Sequence, residues 1–282
     1  MMKFKQMIKS LFALPVVVSI LTGCASLPDE FNIKSPKAHV VDSRIVGLDL
    51  EKIDFEVALK ITNPNFFPLF EVSSDIRVYT QGRKVLELSN VAIPHQIPAG
   101  QSTIAKVPVQ LVFANVIKLV PDLIHEPEMD YKIEVDLSIP VSVLGVIQLP
   151  LTHQGSLPIP KPPRISIASA SIDKISLSTV SFYIDLDILN TNKFDVANLG
   201  GNLGLAINSK SIGSTALSVP SIQSGEKQTT RLNMSFSPSQ LGLSLFGAKQ
   251  LSLDVKGLFN WTPPYGEGAI ANNLDLDWNL PL

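Results

Sequence analysis

Few residues in this sequence are able to do chemistry. There is one cysteine, Cys24, and there are four histidines, His39, His95, His125 and His153. A single cysteine excludes a disulfide framework, a redox pair and a thiolate metal cluster. The histidines stand singly, without HExxH or other paired-ligand spacing, so neither a metal nor another cofactor is expected. Asp185 and Asp187 in FYIDLDIL, and Asp275 and Asp277 in NLDLDWNL, are spaced to share one face of a strand. Paired carboxylates of that kind can do acid–base work or hold calcium, although the solvated face of a sheet carries the same pattern. Gly155-Ser156 and Gly213-Ser214 lack the GxSxG frame, and no GxGxxG loop precedes a helix. The expectation is therefore a protein that is not an enzyme; a Ser/His or Asp/His cluster converging in a polar cleft would instead point to a hydrolase.

Before anything can be positioned, the first residues must be set apart. MMKFKQMIKS carries Lys3, Lys5 and Lys9, LFALPVVVSIL is apolar, and LTGCAS follows. A basic head, a short apolar core and small residues make a secretory signal, residues 1–23. The apolar run of eleven residues is short of the roughly 20 needed to span a bilayer. Leu21-Thr22-Gly23-Cys24 resembles the lipobox of bacterial lipoproteins. That resemblance implies acyl chains on Cys24, a mature chain beginning there, and membrane attachment stable enough to last. Ala25 after the cysteine, with Asp29 only later, is similar to the pattern sorted to the outer membrane, facing the periplasm. Without residues 1–23 the formal charge falls from −2 to −5 and no basic block remains, so nucleic acid is not an expected partner. Residues 24–38 read as a membrane-proximal linker that reaches at most about 50 Å.

The remaining chain repeats itself. VGLDLEKIDFEVALKITNPNFFPLFEV aligns with SASIDKISLSTVSFYIDLDILNTNKFDVA at a shift of 127 residues, which sets Phe55 on Phe182, Leu59 on Leu186 and Asn63 on Asn190. IPAGQ (97–101) matches IQSGE (222–226) at a shift of 125. Such a period suits whole duplicated domains, here 39–160 and 161–282, joined through the proline-rich LPIPKPPR. Segments such as DFEVALKI, KVPVQLVF and VSFYIDLDIL alternate apolar with polar, the mark of strands with one buried face. ANVIKLVPDLIHEP (114–127) and PSQLGLSLFGAKQ (238–250) predict one short helix per repeat. The fold class is all-β, two tandem immunoglobulin or fibronectin-III-like β-sandwich domains.

Asn63-Pro64-Asn65 ends a strand with residues that favour turns and block helix initiation. The second copy keeps Asn190 and Asn192 around Thr191. These residues are predicted to shape a turn. NWTPPYGEGA (260–269) is a candidate contact loop through Trp261 and Tyr265, residue types enriched at binding hot spots.

VALKITNPNFFPLFEVSSDIRVYTQGRKV resembles the core of the type 2 late embryogenesis abundant domain, also called the water stress and hypersensitive response domain. The resemblance covers residues 40–155 well and 165–282 more weakly. It implies a compact sandwich and a link with desiccation tolerance, and it brings no catalytic residue or cofactor. The chain is thus expected to be a non-catalytic, lipid-anchored periplasmic binding or scaffolding protein that protects the envelope under water stress. Its partners would be the membrane, through Cys24, and a protein or envelope component. Binding or transfer of a lipid or hydrophobic ligand is the alternative, and an envelope hydrolase ranks below both.

Overall fold

The computed structural model describes residues 33–94, 96–142, 144–242, 250–266 and 268–281. Cys24 and the signal segment lie outside the described residues. Among the described residues fourteen strands carry the fold: β1 (Lys37–Leu48), β2 (Lys52–Thr62), β3 (Ser73–Thr80), β4 (Arg83–Ala92), β5 (Ser102–Val112), β6 (Glu128–Val141), β7 (Gly145–Pro158), β8 (Arg164–Ile175), β9 (Val180–Leu189), β10 (Val196–Ile207), β11 (Lys210–Ile222), β12 (Lys227–Phe236), β13 (Gln250–Thr262) and β14 (Ile270–Pro281). They form two sandwiches in tandem. In the first, sheet β1-β2-β5 faces sheet β4-β3-β6-β7; in the second, β8-β9-β12 faces β11-β10-β13-β14. Adding seven to each strand number of the first gives the second.

Alternation of side chains drives this layout. Every second residue of β2, β6 and β9 is buried, as a strand with one face on a core requires. Phe55, Val57, Leu59 and Ile61 and their counterparts Phe182, Ile184, Leu186 and Ile188 are all 2 % exposed or less. The duplication extends to irregularities. β1 slips register at Val40/Asp42 and Ile45/Gly47 against β2. β8 slips at Ile167/Ser169 and Ile172/Lys174 against β9, each position 127 residues on. Bulges bend a strand and raise its twist, so equal bulges give the two copies the same curved edge.

The first predicted helix is short, and of the second, residues 243–249 lie outside the described residues. α1 (Phe113–Leu119) stops before Pro121, which opens a separate 3-10 turn over Pro121–His125, because proline in a helix interior removes a hydrogen bond and clashes with the preceding turn. In the second copy α2 (Pro238–Leu241) is a single turn held by a capping box between Ser237 and Gln240. Gly242 follows it with a positive φ of 64°.

Residues 159–163 join the sandwiches and dock on both. Ile159 donates its N–H to Pro127 O (2.9 Å). Lys161 donates its N–H to Asn192 Oδ1 (2.7 Å) and its Nζ to His125 O (2.8 Å). β7 ends beside the 3-10 turn and β8 starts beside Asn192, so the copies meet end to end.

Candidate functional site: the asparagine loops and the seam

Asn63 follows the last residue of β2, and its side chain is fully buried. Its amide donates to Phe67 O (2.6 Å) and Pro98 O (3.2 Å), while its Oδ1 accepts the Asn65 N–H (3.0 Å). Gly100 N–H closes the turn on Asn65 O (2.8 Å). One side chain thus ties two loops, 63–72 and 93–101, to the rim of the sandwich, doing work that backbone pairing does elsewhere. Pro64 is exposed. Phe66 and Phe70 project from this loop with 66 % and 54 % of their surface exposed, and Phe66 packs edge-on against Phe67.

Asn190 repeats the device. It donates to Phe194 O (2.8 Å), Ile222 O (3.1 Å) and Gln223 O (3.1 Å), and its Oδ1 accepts the Asn192 N–H (3.0 Å). Surroundings differ, however. Asn192 exchanges two hydrogen bonds with Lys161 of the connector. Phe194 is buried, stacks on Trp261 at 19° and meets Tyr265 edge-on at 77°. This corrects the expectation for Trp261. It sits in β13, fully buried, its indole N–H donated to Asn272 Oδ1 (2.8 Å), and so offers no contact surface. Tyr265 is half-buried and reaches the first sandwich. Beside it Gly266 holds φ +87°, and a Cβ there would stand 3.3 Å from Gly47 Cα, so the seam is closed at a point only glycine fits.

A cleft of about 330 Å³ opens at this seam, lined by Ser43, Arg44, Ile45, Phe55, Tyr131, Ser156, Leu157 and Tyr265. On its first-sandwich wall Ser43 Oγ lies 2.8 Å from Tyr131 Oη and 3.0 Å from His153 Nε2. Nothing in the sequence announces this cluster, because its members are 88 and 110 residues apart. Gly155, opposite Tyr131 in the β6–β7 ladder, makes room for the ring: a Cβ would come within 2.7 Å of Tyr131 Oη. A Ser–His contact is half of an activated nucleophile; the other half is a group orienting the imidazole and donors for an oxyanion. Among the described residues His153 has ring contact with Tyr131 and a hydrogen bond to Ser43. The cluster joins edge strand β1 to edge strand β7 and closes the open side of the first sandwich.

Residues 58–155 match the family model of the late embryogenesis abundant protein. Among curated proteins the chain is similar to the late embryogenesis abundant protein Lea14-A of Gossypium hirsutum, 27% identical over 46% of this chain and 85% of that one. A desiccation-related protein of Arabidopsis thaliana is 23% identical over 46% of this chain and 77% of its own. A late embryogenesis abundant protein solved in solution is 21% identical over 47% of this chain and 76% of that chain, with a TM-score of 0.40.

The acidic pairs lie beyond the late embryogenesis abundant match, on the second sandwich. Asp185 takes a forked pair of hydrogen bonds from Arg231 (2.7 and 2.9 Å) and one from Ser169 (2.8 Å). Arg231 Cζ in turn lies 4.0 Å from the centre of the Tyr183 ring. Asp187 is paired with Lys227 (2.8 Å) and Thr229 (2.6 Å). The Arg231 and Lys227 hydrogen bonds hold both carboxyls below their ordinary value, which suits fixed anions better than proton carriers. Asp275 is bridged by Lys256 at 3.1 Å. Asp277 faces Asp254 directly across the β13–β14 ladder. A hydrogen bond between these two carboxyls, then burial, pushes Asp254 upward. Among the described residues no group of three or more His, Cys, Asp or Glu side chains is placed to hold a metal.

Proposed function

We propose that this chain is a lipid-anchored, non-catalytic envelope protein that binds or scaffolds envelope components under water stress. One observation carries the reading: 46% of the chain is similar, over 85% and 77% of their lengths, to plant proteins named for late embryogenesis and desiccation, and the family model falls on residues 58–155. Its core asparagine serves architecture, and Asp185, Asp187 and Asp275 of the second sandwich are paired with cations, so the fold supports binding better than turnover. Attachment would be through acyl chains on Cys24, at the outer membrane facing the periplasm.

The reading is tested by drying. The chain from Cys24 onward, with Cys24→Ala, is dried with a desiccation-sensitive enzyme and, separately, with dye-loaded vesicles. Enzyme activity or dye retention above that given by an equal mass of serum albumin is expected; parity in both assays refutes the stress role. The anchor is tested on the unaltered chain produced in a bacterial envelope, where intact mass must show acyl chains on a mature N-terminal Cys24.

A second reading, handling of a small amphiphile, is favoured by the seam cleft, where Ile45, Phe55 and Leu157 stand beside the hydroxyls of Ser43 and Tyr131. A lipid mass released on denaturing the chain isolated without detergent supports this second reading. A bare protein mass counts against it.

A further inference from the structure

The end of the first sandwich that carries the asparagine loop is also where the chain enters the fold. Thr62, last in β2, pairs with Lys37 at the start of β1 and with Ser102 at the start of β5. The loop after Thr62 leads into Ser73, which pairs with Ser138, and the β6–β7 hairpin runs past that point to the Val141–Gly145 pair. This rim exposes apolar side chains. Besides Phe66 and Phe70, Ile104 is 59 % exposed, Leu144 at the hairpin turn 48 % and Val146 59 %.

The second copy closes the same loop without them. At the shift of 127, Phe66 and Phe70 become Lys193 and Ala197, yet the second loop closes with the same asparagine hydrogen bonds. Ile104 becomes Thr229 at the shift of 125, and both occupy the same place in the ladder, opposite Lys60 and Asp187 respectively. In the second sandwich the same end meets the connector at Asn192 and the first sandwich at Tyr265 and Gly266; in the first sandwich it carries the exposed apolar side chains.

We infer that this end is a membrane-docking surface, with the loop 63–72 and the side chains of Leu144 and Val146 on the β6–β7 hairpin seated in the interfacial region of the bilayer. The chain's length before β1 selects this occupant. Lys37 stands thirteen residues after Cys24, a tether of at most about 45 Å, and it enters at the apolar rim itself. Acyl chains on Cys24 would hold that rim close to the lipid, where aromatic and aliphatic side chains bind in proportion to the apolar area they bury. Phe66, Phe70 and Leu144 would then act as a second membrane signal beside the acyl chains. The geometry rests on the anchor proposed for Cys24, so the test is made on chain that lacks the lipid.

The chain from Cys24 onward, with Cys24→Ala, is titrated with phosphatidylcholine vesicles and the bound fraction read by flotation. The neutral lipid keeps charge out of the comparison. Phe66→Lys with Phe70→Ala, the residues found in the second copy, should lower partitioning at least tenfold with an unchanged Tm. Leu144→Ser, on a separate element, should lower it at least threefold. Equal partitioning of parent and variants, whether both bind or neither does, overturns the inference. So does self-association in sedimentation velocity that the substitutions abolish while vesicle binding is unaltered, since the rim would then dock a second copy of the chain. Failure of the anchor is seen independently, as an unacylated Cys24 in intact mass.

Discussion

The two asparagine loops make the same hydrogen bonds and meet different surroundings. In the first copy Asn63 holds a loop that exposes most of Phe66 and Phe70 and half-buries Phe67; in the second Asn190 holds a loop whose Phe194, the counterpart of Phe67, is sealed under Trp261 and Tyr265. Strand order, the two register slips of the first strand and core positions agree between the copies. The difference therefore lies not in folding but in the use of one end, an exposed rim in one copy and a joint in the other. Duplication separates the two demands: what recurs at the shift of 127 is structural, and what departs from it is free to serve something else.

The comparison can be broken or sharpened by substitution. The largest effect is expected at the joint. Trp261→Ala empties a fully buried site and orphans Asn272, and should cost about 3–5 kcal/mol in chemical denaturation. Because Trp261 belongs to the second copy, the loss should appear first in probes of that copy. Next come the asparagines. Asn63→Ala and Asn190→Ala should each cost about 2–4 kcal/mol, since buried carbonyls lose their donor. Near-equal losses support the equivalence of the loops, and a tolerant member of the pair would break it.

Smaller effects are expected where the copies diverge. Phe66→Lys with Phe70→Ala should alter stability by no more than about 0.5 kcal/mol, the usual range for surface changes. A loss of several kcal/mol would mean these rings support the fold after all. The smallest effect concerns the acidic pair. Asp254 binds its proton more tightly folded than unfolded, so its contribution to stability is full below the ordinary value of 3.8 and is lost as pH rises through its higher folded value. Asp185 has the opposite sign: its contribution is present above 3.8 and is lost as pH falls through its lowered folded value. Asp254→Asn should accordingly raise Tm at pH 7 by on the order of 1 °C and little below pH 3. An unchanged Tm–pH profile would show that Asp254 and Asp277 do not repel.

Much of this was legible in the sequence, and the reason is periodicity. Phe55, Leu59, Phe182 and Leu186 announce alternating strands, and their common shift of 127 announces the duplication. Asn63 and Asn190 could be read as turn formers because part of their bonding is local, two and four residues onward; their bonds to Pro98, Ile222 and Gln223 reach a second loop that no spacing announces. Pro263, Pro264 and Gly266 follow Trp261 so closely that they point to a loop, whereas β13 runs through Thr262 and buries the indole. Ser43, Tyr131 and His153 carried no signal, since contacts between two sheet edges obey no fixed sequence spacing. The joint was equally silent; proline content marked the connector, but not the Lys161 hydrogen bonds that dock it on both sandwiches.

Hydroxyl-radical footprinting with residue-level mass spectrometry tests the central claim most directly, because both ends are read in one sample. Phe66 and Phe70 should label strongly, while Phe194 and Trp261 should stay near background until the chain is unfolded. Comparable labelling of Phe194 and Phe66 in the folded chain would contradict the account, since it would leave the second copy's loop as open as the first.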